Sequence, residues 1–182
     1  MTIRYALDRD AEAISEIYNQ YISASIATFE VEQINAEVGL GRIRACLDLG
    51  YPYLVAEDND KIVGYAYAHQ YRPRPAYGKT VEVSIYARPG FEGRGVASAL
   101  YKQLLPEIFK AGFHTILAGI ALPNDASVRL HEKFGFQKVA HLSEVGRKFD
   151  RWIDVGYWQL TAENAGHDRK KTENSGSSEL SF

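Results

Sequence analysis

Four groups of residues have types and spacings that could do chemistry. In Val81 to Ala87, VEVSIYA, Glu82 alternates with Val81 and Val83. Its carboxylate therefore leaves a strand on the face opposite the valines and can take a proton, directly or through water. The turn Glu92-Gly93-Arg94-Gly95-Val96-Ala97-Ser98 puts glycines and small residues at the mouth of a helix. Backbone N–H groups without helical partners and the positive end of the helix dipole favour a phosphate or pyrophosphate there, and Arg94 adds a charge-assisted donor. His131, in the segment Asn124 to Phe136, carries an imidazole able to give or take a proton near neutrality. Arg72, Arg74 and Tyr77 stand in a stretch with two prolines and a glycine, where fork-shaped donors can grip a carboxylate or phosphinate.

Each group has a plainer reading. Two glycines before a helix also suit an ordinary strand-to-helix connection, a lone strand glutamate is usually solvated, and an arginine loop can be simply basic. The turn lacks both G-x-x-x-x-G-K-[ST] and G-x-G-x-x-G, which excludes the two best-known phosphate loops. The histidines are scattered without ligand spacing, so no metal is expected.

The elements that must position these groups follow from periodicity. Thr2 to Ala6 reads as a strand, Asp8-Arg9-Asp10 as a helix start, and Ala11 to about Ile22 as a helix presenting Ile14, Ile17, Tyr18 and Tyr21. Ser23 to Glu30 breaks the pattern and leaves Phe29 in a loop. Asn35 caps a second helix carrying Val38, Ile43, Cys46, Leu47 and Leu49, stopped by Gly50. Tyr53 to Glu57 and Lys61 to Ala68 form a hairpin around Asp58-Asn59-Asp60. The prolines and glycine of Tyr71 to Gly78 exclude regular structure. After the central strand and helix come a buried strand, Phe113 to Ala121, a short helix, Ala126 to Phe134, and strands over Gln137 to Leu142 and Trp152 to Leu160. Six or seven strands and four helices in mixed order predict an α/β fold with parallel and antiparallel neighbours.

Length and charge bound the rest. A chain of 182 residues with 46% hydrophobic content suits one domain, here 1–161, followed by a polar tail, 162–182, expected to be disordered. A net charge of −2 gives no general drive toward nucleic acid or an anionic membrane. A single cysteine, Cys46, makes no internal disulfide and reads as a small buried hydrophobe. With no apolar run near the ~20 residues of a membrane span and no signal-peptide pattern, a cytoplasmic home is expected.

At the glycine turn the chain resembles the GCN5-related N-acetyltransferase (GNAT) superfamily, whose signature Q/R-x-x-G-x-G/A here reads Glu92-x-x-Gly95-x-Ala97. A second match is Asn124 to Phe136, NDASVRLHEKFGF. With the ending VGRKFDRWIDVGYWQ, these segments are similar to the phosphinothricin and methionine sulfoximine N-acetyltransferases over roughly Thr2 to Leu160. The resemblance implies the GNAT acyl-CoA N-acyltransferase fold, a mixed central sheet flanked by helices. It implies acetyl transfer from acetyl-CoA to the α-amino group of a small amino-acid analogue by direct attack, with antibiotic or herbicide resistance as a role and a homodimer as the assembly. Carried over by position, it makes Glu82 and His131 catalytic and pairs Ile85, Tyr86 and Ala87 with the pantetheine arm. It puts pyrophosphate on Gly93, Arg94, Gly95, Val96, Ala97 and Ser98, and has Asn124 position the cofactor. Phe29, Arg72, Arg74 and Tyr77 would hold the substrate. Two alternatives stay open: acetylation of another small amine or a protein N-terminus, and a non-catalytic acetyl-CoA-binding module.

Overall fold

Apolar stripes on four helices close over both faces of one sheet. The computed structural model describes residues 1–165, and its seven-stranded sheet has the order β1-β2-β3-β4-β5-β7-β6. The strands are β1 (Thr2–Tyr5), β2 (Tyr53–Asp58), β3 (Lys61–Gln70), β4 (Thr80–Ala87), β5 (Thr115–Leu122), β6 (Gln137–Lys148) and β7 (Arg151–Thr161). The helices are α1 (Ala11–Ala24), α2 (Ala36–Asp48), α3 (Val96–Lys110) and α4 (Asp125–Lys133). All neighbours are antiparallel except β4 and β5.

Side-chain alternation divides the core in two. On α1, Ile14, Ile17, Tyr18 and Ile22 recur at helical spacing and bury against Tyr53, Val55, Tyr65 and Tyr86 of the sheet, with Ile43 of α2. On the other face Val96, Leu100, Tyr101, Leu104 and Ile108 of α3 cover Leu54, Ala66, Val81, Val83, Ile116 and Ala118. Each fully buried large aliphatic side chain is worth roughly 1.5–3 kcal/mol in transfer from water. Alternation along β4 sends Val81 and Val83 to the α3 side and Tyr86 to the α1 side, so Glu82 shares the α1 face.

Local signals act as read. The Asn35 side chain accepts the Val38 N–H at 2.9 Å, and the β2–β3 turn holds Asn59 and Asp60 at φ of 48° and 59°. The differences lie at the ends. Leu49, expected on the apolar face of α2, caps that helix and is exposed. The stretch after β3 contains one 3-10 turn, Pro75–Tyr77, because a proline's fixed φ suits a first helical turn. β6 runs six residues past Leu142 through a register shift between Leu142 and Gly146. The strand reads on after the irregularity where an alternation count stops. Thr161 closes β7, residues 162–165 are helical, and Ala165 packs on the α3-side core. The expectation of a disordered tail otherwise concerns 166–182, outside the described residues. Among the described residues no helix is long and apolar enough to cross a membrane.

Candidate active site

The parallel pairing of β4 with β5 stops early. It covers Thr80 with Thr115, Val81 with Ile116 and Glu82 with Leu117, after which the strands run on to Ala87 and Leu122 unpaired. A cleft of about 820 Å³ opens between them, lined by β4 from Val83 to Ala87, the glycine turn, Gly119 to Ala121, and α4. The hydrogen bond from Arg88 N–H to Val63 O at 2.8 Å sets the phase of the β3–β4 ladder. Counting back by twos, Val83, Ile85 and Ala87 turn their backbone groups to the open edge. Tyr21 Oη–H caps the Ala87 carbonyl at 2.7 Å. Tyr86 differs from its neighbours: its backbone serves β3, and its ring packs edge-on against Tyr18 and Tyr21.

At the cleft's end Gly95 is the N-cap of α3 at φ 80°, with no side chain capping the helix. Gly93 also lies at positive φ, 72°, where a side chain would be strained. The first helical bond joins Ala99 N–H to Gly95 O, so the N–H groups of the preceding residues point outward as anion donors. Gly64 of β3 seats this turn, since a Cβ there would stand 2.6 Å from Val96 Cγ1 and 3.0 Å from the Tyr86 carbonyl. Two side chains of the turn behave in their own ways. Arg94 lies 4.9 Å over the Phe91 ring and is absent from the lining, while Glu92 accepts the Gly90 N–H at 2.7 Å and does line the cleft.

Glu82 is the last residue of β4 paired with β5, at the vertex of the opening. Burial pushes its carboxyl above the ordinary range, against the pull of His69 and of a hydrogen bond from Gly119 N–H. Gly119 lets the carboxylate sit close, since a Cβ there would stand 3.0 Å from Glu82 Oε1 and 3.5 Å from the Tyr157 ring. His131 lines the opposite wall but is buried, with both nitrogens engaged. Nδ1–H donates to Ser127 O at 2.7 Å, which leaves Nε2 to accept from Tyr101 Oη–H, also at 2.7 Å. Burial lowers its pKa, so the ring is neutral near pH 7. The Asn124 side chain caps α4 by accepting the Ser127 N–H at 3.1 Å and also lines the cleft.

The expected substrate residues form two separate groups outside the cleft lining. Arg72 lies over the rings of Tyr71 and Tyr77 at 5.1 and 6.0 Å; it and Glu82 both act electrostatically on Tyr157, while Arg74 is exposed on the same loop. Phe29 instead packs over Gly146, where any Cβ would clash with its ring. Beside it is a residue that the sequence marks only as one of a local basic group, Arg147, Lys148 and Arg151. Lys148 is buried, and its ammonium donates to Ser25 O and Thr28 O at 2.8 Å each and to Tyr21 O at 3.5 Å. It fastens the segment whose Ser25, Ile26 and Ala27 wall the cleft. Cys46 is half-buried in the α1-side core, its thiol pushed up to about 11 by burial.

A sheet opened beside a glycine-rich helix start, with a carboxylate at the vertex, is built to seat an extended phosphate-bearing ligand next to a proton acceptor. Residues 3–156 match the family described as Acetyltransferase (GNAT) domain. The chain is 38% identical over 160 residues to the L-methionine sulfoximine/L-methionine sulfone acetyltransferase of Salmonella typhimurium, covering 88% of this chain and 94% of that protein. It is equally 38% identical to the phosphinothricin N-acetyltransferase of Streptomyces coelicolor, covering 86% and 94%. The structure of a GNAT superfamily phosphinothricin acetyltransferase from Sinorhizobium meliloti in complex with acetyl-CoA superposes with a TM-score of 0.85 at 34% identity, covering 88% of this chain and 87% of that one. The chain belongs to the GNAT acetyltransferase family and is an acetyl-CoA-dependent N-acetyltransferase.

Proposed function

We propose that the protein acetylates the α-amino group of a small amino-acid analogue carrying a tetrahedral phosphinyl, sulfone or sulfoximine group. The observation that carries this reading is the Glu82 carboxylate at the vertex of the β4–β5 opening, with Tyr157 beside it and Arg72 acting on Tyr157 from the adjoining loop. A base and a cation placed so suit a substrate with an ammonium at one end and an anionic group at the other. The names of the Salmonella and Streptomyces relatives support the same substrate class.

The residues present fit acetyl-CoA. Backbone at Val83 and Ile85 on the open β4 edge, with the Ala87 carbonyl already capped by Tyr21, suits an extended amide-bearing arm, and the outward N–H groups at Gly95 to Ser98 suit its pyrophosphate. When bound, acetyl-CoA supplies an acetyl group activated as a thioester. Glu82, raised in pKa by burial, takes the ammonium proton so that the amine can attack directly. Backbone N–H at the open β4 edge near Ile85 polarises the carbonyl oxygen. His131 supports the proton transfers together with Tyr101, to which its Nε2 is hydrogen-bonded, and Asn124 orients the cofactor from the α4 cap. Arg72, Arg74 and Tyr77 hold the acceptor's anionic end, and Phe29, in its separate place over Gly146, gives an aromatic wall on another side of the acceptor.

Residues 1–161 form the catalytic unit in this reading, and the working assembly is a homodimer. Its contact is the exposed β6–β7 hairpin, where Val139, Val145, Phe149 and Trp152 leave apolar surface in water. Thiol release from acetyl-CoA with phosphinothricin, methionine sulfoximine, methionine sulfone, spermidine and a peptide N-terminus tests the substrate. Turnover confined to the first three is the expected result. Turnover only with spermidine or peptide overturns the substrate class, and binding without turnover overturns catalysis. Light scattering tests the dimer.

A further inference from the structure

Acetylation of an ammonium by a thioester releases one net proton per turnover. The amine loses two protons, one leaves on the coenzyme thiol, and the other must reach solvent. Glu82 lies at the inner end of the opening, so a proton it accepts needs an exit. His69 stands directly across the antiparallel β3–β4 ladder from Glu82. Counting by twos from the Arg88–Val63 bond makes theirs a hydrogen-bonded pair, with Cα atoms about 5.5 Å apart and both side chains on one face. The His69 ring leans on Tyr67 at 5.7 Å between centroids. Its Nδ1 is 3.2 Å from Gln70 O; a carbonyl only accepts, so Nδ1 carries the hydrogen and the Nε2 lone pair is left available. His69 is half-exposed near the end of β3, in reach of water.

We propose that His69 is the proton exit of the site, receiving at Nε2 the proton that Glu82 takes from the ammonium and passing it to solvent. The ammonium N–H bond breaks and a Glu82 O–H forms. That O–H then breaks as the His69 Nε2–H forms, directly or through one water, and the imidazolium yields its proton to water, which restores both groups. An imidazole is a stronger base than a carboxylate and exchanges protons quickly near neutrality. The other charged or titratable groups around the pair are Tyr67 on β3, Tyr157 on β7, and Tyr71 and Arg72 on the loop after β3. In its cationic form His69 also favours the Glu82 carboxylate. His69 is therefore a positioning and relay residue acting through Glu82.

The inference rests on Glu82 being the base, and the test separates the two claims. Full-length His69→Ala, His69→Gln and Glu82→Gln are assayed with acetyl-CoA and methionine sulfone, or with whichever acceptor in the panel turns over, across pH 5–9. His69→Ala should lower kcat about tenfold, less than the 10²–10⁴-fold typical of losing the base itself. The acid limb of its kcat profile should move to higher pH, and added imidazole should restore activity in a concentration-dependent way; His69→Gln fills the space and should not be rescued. If Glu82→Gln collapses kcat while both His69 variants match the wild type at every pH, the relay is wrong and the base stands. If Glu82→Gln leaves kcat unchanged, the base reading fails first. A drop in His69→Ala with neither a moved acid limb nor imidazole rescue is a packing effect and also overturns the relay.

Discussion

Replacing Lys148 by methionine separates its charge from its packing. The change keeps a long apolar stem but removes the donor to Ser25 O and Thr28 O at 2.8 Å and to Tyr21 O at 3.5 Å. Tyr21 O still accepts the Ser25 N–H at 3.0 Å, so two carbonyls lose the donor they had. A buried acceptor left without a donor costs about 1–3 kcal/mol, which makes roughly 2–6 kcal/mol for the pair. Relief from burying an ammonium that has no carboxylate partner offsets part of this. The net expected loss is about 2 kcal/mol, or roughly 4–8 °C in Tm for a domain of this size. Because Ser25, Ile26 and Ala27 wall the cleft, the KM for acetyl-CoA should rise on the order of tenfold, the equivalent of about 1.4 kcal/mol. Thermal unfolding and steady-state kinetics on Lys148→Met, with Lys148→Arg as the charge-retaining control, make the check. A Tm within about 1 °C of wild type together with an unchanged KM would refute the clamp, since the orphaned carbonyls predict several degrees.

Three further outcomes are expected. Glu82→Gln should lower kcat by about 10²–10⁴-fold and spare acetyl-CoA affinity; wild-type kcat should rise with pH through a value above the ordinary carboxylate range, because burial raises Glu82 and a base works deprotonated. A pH–rate profile in which Glu82→Gln keeps that limb rejects the assignment. Glu92→Gln removes a negative charge from a turn that would face pyrophosphate while keeping an acceptor for Gly90 N–H. Coenzyme A should bind about three- to tenfold more tightly, most clearly at low salt, and weaker binding by calorimetry would make the carboxylate a necessary brace. Asp10 is buried; burial raises its carboxyl, but the Arg4 fork at 2.7 and 2.9 Å and the Leu7 N–H prevail and hold it below the ordinary value. Its folded pKa is thus the lower one, so its stabilisation is complete above about pH 4 and lost as pH falls through the folded value. Asp10→Asn should be less stable at pH 7 by about 1–3 kcal/mol, with the gap to wild type narrowing in urea titrations as pH falls below about 4.

Elements built from short-range pattern were legible in the sequence. The β4-turn-α3 unit shows as a period of two giving way at Arg88-Pro89-Gly90 to helical spacing, and the structure keeps those boundaries. The β2–β3 turn was equally plain, because Asn and Asp tolerate the left-handed backbone found there. β6 was not. Its residues are almost all exposed, so hydrophobic alternation carries little information, and Glu144 enters the left-handed region at φ 54° inside the irregular stretch.

The same contrast governs the site. Groups acting through backbone next to them, the open β4 edge and the α3 mouth, could be read because strand, turn and helix are contiguous. Side chains that act through distant partners could not. Lys148 meets Ser25 across 123 residues, Tyr21 meets Ala87 across 66, and Tyr101 meets His131 across 30. Tyr101 changes how His131 must be understood. A histidine on α4 read from spacing alone is a free acid or base, yet a fully buried tyrosine hydroxyl occupies Nε2 and a helix carbonyl holds Nδ1–H. For His131 to supply a proton to a leaving sulfur, the Tyr101 hydroxyl must first turn away or the proton must come from Tyr101 itself, whose pKa burial holds far above neutrality. Tyr101→Phe decides between a strut and a relay. It removes the hydrogen bond and keeps the ring that packs on Phe134 and Phe136. If His131 works as a free base, kcat should rise or hold as Nε2 is released; if the pair works as a unit, kcat should fall with acetyl-CoA binding unchanged.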